Sequence, residues 1–239
     1  MKKVVIMILE GHVEICKAVR EGNLDKVKLC HIKNPKSYLT QDILGCTAVF
    51  VACSEGHDEI VDWLLSLGGN DILASDKNGY NPLHAASSHG HIKVVRILLR
   101  EGYASEEHID RVGFQGLSPF FVACIFGYLD IAKILLTAGA NINKRNMEGD
   151  TAFMVACKVG KVETAKFLVE EGANVDLVNE EGMCALRHAK SQGRKSVLRY
   201  LYDSGTFSHR RRESLGEDII ENQASIDTNS SGESPSPHK

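Results

Sequence analysis

Aromatic residues are scarce in this sequence, and neither sign of charge predominates. Phenylalanine, tryptophan and tyrosine make up 6% of the 239 residues, and 28 basic side chains nearly balance 31 acidic ones. Binding to the phosphate backbone of DNA or RNA depends on clustered lysine and arginine. The composition therefore predicts no nucleic-acid partner.

Long apolar runs are also missing. No run approaches the roughly 18 residues that a membrane-spanning helix needs. The run from Val4 to Leu9 follows two lysines, but it is too short for a signal peptide and lacks a small-residue cleavage site. We interpret it as the packing face of the first element. We expect a soluble protein of the cytoplasm or the nucleus, with no membrane insertion and with its seven cysteines reduced.

Signatures of catalysis and of metal binding are absent as well. The sequence contains no glycine-rich phosphate loop, no Gly-x-Ser-x-Gly, no His-Glu-x-x-His and no Cys-x-x-Cys. Such groups normally lie at fixed local spacings. We therefore expect no catalytic residues, no metal, no cofactor and no small-molecule substrate.

What the sequence does contain is a repeat of about 33 residues. A glycine opens each unit, and successive opening glycines are 34, 37, 33 and 33 residues apart. They are Gly45, Gly79, Gly116, Gly149 and Gly182. A second glycine follows after eleven residues and a third after twelve more, and an alanine lies seven residues after each opening glycine. Four positions kept in five units indicate a repeat protein.

Each unit predicts a turn, a helix, a second turn and a second helix. Gly79 suits a turn because a residue without Cβ takes positive φ without steric cost. Asn81-Pro82 and Ser118-Pro119 are typical of an N-cap followed by proline in the first helical turn. Thr47 and Thr151 supply the cap hydroxyl in two other units, and Cys184 replaces it in the last unit. Helices of about two or three turns are only marginally stable in isolation. We therefore predict an all-α solenoid in which neighbouring units cover each other's apolar faces.

The register also explains several cysteines and histidines that could suggest chemistry. Cys53, Cys124 and Cys157 all lie eight residues after an opening glycine. A small packed side chain is expected there, and free cysteine behaves as one. His84 and His91 occupy recurring positions too, so they do not indicate a metal site.

The residues from Asn81 to Ala86 resemble the Thr-Pro-Leu-His-x-Ala signature of the ankyrin repeat family. The resemblance covers roughly residues 11 to 206 and implies an ankyrin-repeat solenoid of about six units. We expect a divergent N-terminal capping repeat at 1–43, five repeats within 44–206, and a disordered Ser-rich tail at 207–239. The five repeats are expected at about 44–76, 77–110, 111–146, 147–179 and 180–206.

The family binds proteins through its hairpin tips and the exposed side of the first helix. Carried over to this sequence, the exposed positions lie one or two residues before each opening glycine, one after it, and nine and ten after it. The predicted partner-binding residues are Tyr80, His89, Phe114, Leu117, Ile125, Phe126, Met147 and Val159, and Asp150 belongs to the same exposed set.

An apolar cluster stands out among these positions, with Phe114, Leu117 and Phe126 between mostly polar units. Apolar groups that the fold does not need to bury are typical of a binding site. The 37-residue step leaves an alternative, because three or four extra residues lie in the stretch from Tyr103 to Gly113. We interpret this stretch as a lengthened finger, which either contacts a partner or folds over the cluster.

The resemblance implies a non-enzymatic scaffold or adaptor that holds a protein partner. A regulatory or inhibitory subunit of a signalling complex is the alternative, since Arg210-Arg211-Arg212-Glu213-Ser214 resembles a basophilic kinase site. Phosphorylation of Ser214 would then switch the tail. The same run also fits a nuclear-localisation patch or a solvated charge run. An enzyme is the third hypothesis, and it requires catalytic groups that the sequence does not show.

Overall fold

Thirteen α-helices and two short 3₁₀ turns form the regular structure of this computed structural model, which describes residues 2–68, 74–100 and 105–206, with side chains from Gly11 onward. The helices are α1 (Lys2–Arg20), α2 (Leu24–Lys33), α3 (Ala48–Glu55), α4 (Asp58–Ser66), α5 (Pro82–Ser88), α6 (Ile92–Leu98), α7 (Glu106–Ile109), α8 (Pro119–Phe126), α9 (Leu129–Thr137), α10 (Ala152–Val159), α11 (Val162–Glu170), α12 (Ala185–Ser191) and α13 (Lys195–Asp203). Within those ranges the only β-structure is an isolated bridge between Arg145 and Thr151. The predicted all-α solenoid is confirmed, whereas the predicted disordered tail with Ser214 lies outside the described residues.

The helices stack in two rows. The first helices of successive units pack in chain order, α1 on α3, α3 on α5, α5 on α8, α8 on α10 and α10 on α12. The second helices do the same from α2 through α4 and α6 to α9, and α11 packs on α13. Each unit therefore contacts mainly its neighbours, as expected for a solenoid.

The first helices begin at the predicted N-caps. The side chains of Thr47, Asn81, Ser118 and Thr151 each accept a hydrogen bond from the backbone N–H three residues later. These bonds satisfy one of the donors that a helix start leaves without an intrahelical partner. Cys184 in the last unit makes no such bond, as the sequence predicted for a residue without a hydroxyl.

In the N-terminal units the middle glycine has a second role besides ending the first helix. Gly56 adopts φ 78°, and a Cβ at this position would lie 2.4 Å from Nδ1 of His91 in the next unit. The His91 ring lies there because its Nε2–H donates to the Ser54 carbonyl oxygen at 2.9 Å. Tyr128 covers Gly90 in the same way. Glycine is thus required both for its positive φ and for the close approach of the next unit.

The core is continuous along the stack, and the recurring cysteines belong to it. Cys53, Cys124 and Cys157 are almost completely buried. Burial raises the pKa of the Cys124 and Cys157 thiols to about 12, so both stay protonated and pack as small apolar groups. Ser87 occupies the equivalent position in another unit, and its Oγ has no hydrogen-bond partner among the described residues.

The insertion before the third opening glycine is a short helix and not a longer finger. Ser105 caps α7 by accepting from the His108 backbone N–H, and both His108 and Ile109 are buried. The His108 carbonyl oxygen accepts a 3.0 Å hydrogen bond from Nδ2 of Asn81. The prediction of a lengthened finger is therefore wrong for residues 105–113, because the extra residues anchor in the stack; residues 103 and 104 lie outside the described ranges.

His84 joins two units through a buried ring. Its Nδ1 accepts from the Asn81 backbone N–H at 3.2 Å, and its Nε2–H donates to the Leu117 carbonyl oxygen at 3.0 Å. Desolvation by burial lowers the pKa of His84 to about 4. The neutral ring is therefore the form that the native state requires.

We expect Ser87→Cys to stabilise the protein by about 1 kcal/mol, since it removes a buried hydroxyl without a partner and restores the side chain that three other units carry. Urea unfolding followed by circular dichroism measures the change. Ser88→Cys is the matched control, because the Ser88 hydroxyl is half-buried and donates to Ala85. An unchanged or lower unfolding free energy for Ser87→Cys would contradict the role assigned to this position.

We expect His84 to make stability pH-dependent between about pH 6.5 and pH 4. In this window the unfolded chain binds a proton at His84 and the native state does not, so acidification lowers stability, by at most about 3 kcal/mol from this residue. His84→Gln should be less stable than wild type at pH 7.5, and the gap should narrow by pH 4.5. Parallel pH profiles of the unfolding free energy would contradict this.

Candidate functional site

Hairpin tips project from the stack between consecutive units, and most share one locked turn. Three residues before the opening glycine, Asp42, Asp76, Asn146 and Asn179 each accept two backbone N–H groups. At Asp76, for example, Oδ1 accepts from Asn78 and Tyr80, both at 2.9 Å. Side-chain acceptors of this kind fix the turn without help from a neighbour.

The third tip departs from this turn. Gly113 replaces the Asp or Asn, and a Cβ there would lie 2.3 Å from Cδ1 of Tyr80, whose ring packs against it. Gly113 N still donates to the Leu117 carbonyl oxygen at 2.9 Å, but the tip from Phe114 to Gly116 becomes a 3₁₀ turn. Gln115 takes φ 60°, the only positive φ at a non-glycine residue in the described ranges. This distinct tip carries Phe114.

Four large apolar side chains are exposed on the third and fourth units, and we call them the apolar patch. Their exposed fractions are 58% for Phe114, 57% for Phe126, 73% for Met147 and 51% for Val159. The backbone N–H of Met147 donates to the Gln115 carbonyl oxygen at 2.9 Å, which places the two tips side by side. Phe126 and Val159 are the last residues of the neighbouring helices α8 and α10.

The other predicted residues differ in exposure. Leu117 and Ile125 are half-buried and pack against the core beneath the patch. Tyr80 is half-buried as well, and its hydroxyl donates to the Phe114 carbonyl oxygen at 3.4 Å. His89 is exposed, with its ring stacked on His91 at a centroid distance of 6.0 Å. Residues 105–113 leave the patch exposed, so the hypothesis that this stretch covers it is wrong for the described residues.

Comparison with known proteins gives the family. A family model described as "Ankyrin repeats (3 copies)" matches residues 15–111, 76–146 and 120–211, which together span most of the sequence. The chain belongs to the ankyrin repeat family.

Relatives share parts of this array. The chain is 34% identical over 103 residues to Ankyrin repeat and SOCS box protein 3 of Bos taurus, covering 43% of this chain and 19% of that protein. It is 30% identical over 132 residues to Tyrosine-protein kinase HTK16 of Hydra vulgaris, covering 50% and 17%. A putative ankyrin repeat protein of Rickettsia bellii is 29% identical over 128 residues, covering 52% and 67%. The chain thus spans about a fifth of the first two relatives.

Asp150 is buried, contrary to the prediction that it is exposed on the fourth ankyrin repeat. Its Oδ1 accepts from Asn179 Nδ2 at 2.7 Å and lies 3.1 Å from His188 Nε2, and Lys158 Nζ lies 3.8 Å from Oδ2. The physical reason is general, because residues one position after the opening glycine lie beside the helix start and face the next hairpin. Cys46, Tyr80, Leu117 and Met183 are likewise buried or half-buried.

The predicted partner-binding residues omit an exposed apolar tip on the first full repeat. Ile43 and Leu44 are 84% and 60% exposed, and they lie two and one residues before Gly45. The same rule that found Phe114 and Met147 identifies them when it is applied to this repeat. Among the described residues, no group of three or more His, Cys, Asp or Glu is placed to hold a metal ion. None of the helices in these ranges has the length and apolar character to cross a membrane.

We expect Asp150→Ala to destabilise the protein by about 2 kcal/mol, because it leaves Asn179 and His188 without their buried acceptor. Glu148→Ala is the control on the same hairpin. Its carboxylate also pairs with Lys158, at 3.3 Å, but the side chain is exposed, and such surface pairs contribute little. Thermal and urea unfolding of both variants measure the difference. Equal losses for the two would contradict the buried network.

Proposed function

We propose that this ankyrin repeat chain is a non-enzymatic scaffold or adaptor that binds a protein partner on the third and fourth repeats. The observation that carries the proposal is the apolar patch. Phe114, Phe126, Met147 and Val159 are more than half exposed at positions that stacking does not use. Several large apolar side chains exposed on two neighbouring repeats favour a binding site.

The surroundings of the patch support the same proposal. Binding energy concentrates in a few aromatic or aliphatic anchors inside a polar rim. Asn78 and His89 of the second repeat lie on one side, and Glu180 and Gln192 of the fifth lie on the other. Burying one large apolar side chain contributes about 1.5–3 kcal/mol, so two or three anchors supply much of a micromolar affinity.

The relatives support a binding part within larger proteins. The tyrosine kinase from Hydra vulgaris matches this chain over only 17% of its length, and the SOCS box protein over 19%. We propose that in this chain the matched part binds the partner.

The alternative of a regulatory or inhibitory subunit depends on the run from Arg210 to Ser214. That run lies outside the described residues, so only its sequence favours the proposal. In such a subunit, phosphorylation of Ser214 would change partner affinity. The cytoplasm or the nucleus stays the expected location.

We expect Phe126→Asp to abolish partner capture with little change in stability. The side chain is 57% exposed at the end of α8, so the substitution places a charge in the interface and not in the core. Affinity purification with quantitative mass spectrometry should find partners on the wild-type chain that the variant loses. Val13→Asp, an exposed apolar position on α1, is the control and should retain them. A large drop in melting temperature for Phe126→Asp would show that the position is core.

A further inference from the structure

We propose that the bound partner segment carries basic residues on one side of its apolar anchors, and that this basic end lies toward the fifth ankyrin repeat. The inference rests on the proposed function of the apolar patch and adds the chemistry and the direction of its occupant. It comes from the charges of the hairpin tips, which are acidic on one side of the patch only.

The tips on the C-terminal side of the patch are acidic. Glu148, Glu180 and Glu181 are exposed at the tips of the fourth and fifth repeats. The backbone N–H of Glu180 points to the Glu148 carbonyl oxygen at 3.4 Å, so the two tips are adjacent. Lys158 partly neutralises Glu148, but no described basic side chain forms an ion pair with Glu180 or Glu181. Their charges are therefore available to a ligand.

The fifth tip is also held in a fixed shape. Oδ1 of Asn179 accepts from the backbone N–H groups of Glu181 and Met183 at 3.0 and 2.9 Å. Nδ2 of the same side chain donates to the buried Asp150. The two glutamates thus project from a turn whose backbone is set before a ligand arrives, which lowers the cost of ordering on binding.

The basic residues of the fifth repeat do not cancel these acids. Arg187 and Lys190 of the fifth repeat are equivalent to Met154 and Cys157 of the fourth. In the fourth repeat these two positions are buried against the following repeat. By register they face the end of the stack and not the hairpin tips. Arg145 lies at the base of the fourth hairpin, where its backbone bridges to Thr151.

The tip on the opposite side of the patch is not acidic overall, because Lys77 there offsets the Asp76 carboxylate that closes the turn. Lys77 is exposed on the second hairpin, and its backbone N–H donates to the Leu44 carbonyl oxygen at 2.8 Å. The patch therefore lies between a tip without net charge and two acidic tips. A segment with lysine or arginine at one end gains electrostatic attraction in one direction only, when that end lies over the fifth repeat.

The spacing of the repeats sets the distance along the ligand between its basic residues and its apolar anchor. Packed helices lie about 8–10 Å apart, so the fifth tip is roughly 10–20 Å from the patch. An extended peptide spans about 3.3 Å per residue. The basic residues are expected about three to six positions from the apolar anchor.

Peptide selection on the full chain tests this inference. Random 16-residue peptides displayed on phage are selected against wild type, against Glu180→Lys/Glu181→Lys, and against the charge-matched control Glu14→Lys/Glu170→Lys. We expect the wild-type and control pools to enrich peptides with lysine or arginine three to six residues from an aromatic or aliphatic anchor. The affinity of a selected peptide should fall about tenfold for Glu180→Lys/Glu181→Lys at 0.15 M salt and remain unchanged for the control.

Phe126→Asp separates the inference from the proposed function. If this variant enriches the same peptides as wild type, the patch is not the binding site and the proposed function fails. If Phe126→Asp enriches nothing, but wild-type peptides lack the basic residues or bind Glu180→Lys/Glu181→Lys equally, only the inference is overturned. Sedimentation showing that wild type dimerises and Phe126→Asp does not would make a second copy the occupant, which also overturns it.

Discussion

The contact between consecutive repeats is the interaction on which the rest of the molecule depends. Most of its helices are seven to ten residues long, and helices of that length do not hold their shape alone in water. The stack stabilises them by burying the first helices against one another and by placing a side chain such as His91 over the middle glycine of the preceding repeat. Each repeat is thus completed by the next one.

Stacking between repeats fixes only some positions of each repeat, so the others are free to vary. The helix faces, the caps and the middle glycines are fixed by stacking, whereas the tips need only a turn that a side chain such as Asp76 closes locally. The third tip is the exception, because Tyr80 from the preceding repeat packs on Gly113 and replaces local closure with a contact between repeats. Stacking there holds the turn that presents Phe114. The apolar patch is therefore part of a rigid surface and not of a loose loop.

The sequence predicted the features that recur from one repeat to the next. The unit spacing, the caps at Thr47 and Asn81 and the exposure of Phe114 follow from register alone, since the same residue types recur in the same places. Features that occur once could not be predicted in this way. The helix α7 has no counterpart among the described residues of the other units, and the burial of Asp150 depends on His188, a histidine at a position that is apolar in the other repeats. Periodicity carries no information about such long-range pairs.

The stack fixes the spacing of the hairpin tips but not their residues. The affinity for a ligand and the direction in which the ligand runs therefore depend on different residues. The free energy of burying apolar groups at the patch does not depend on the direction in which a ligand runs, because dispersion and desolvation do not depend on the sign of a charge. Charges at neighbouring tips do have a sign, and at physiological salt each acts over roughly 8 Å, about one repeat. Glu180 and Glu181 therefore act mainly on the end of a bound segment that lies over the fifth repeat. In such a stack a charge change at one tip alters orientation while the apolar anchors, and the fold beneath them, stay the same.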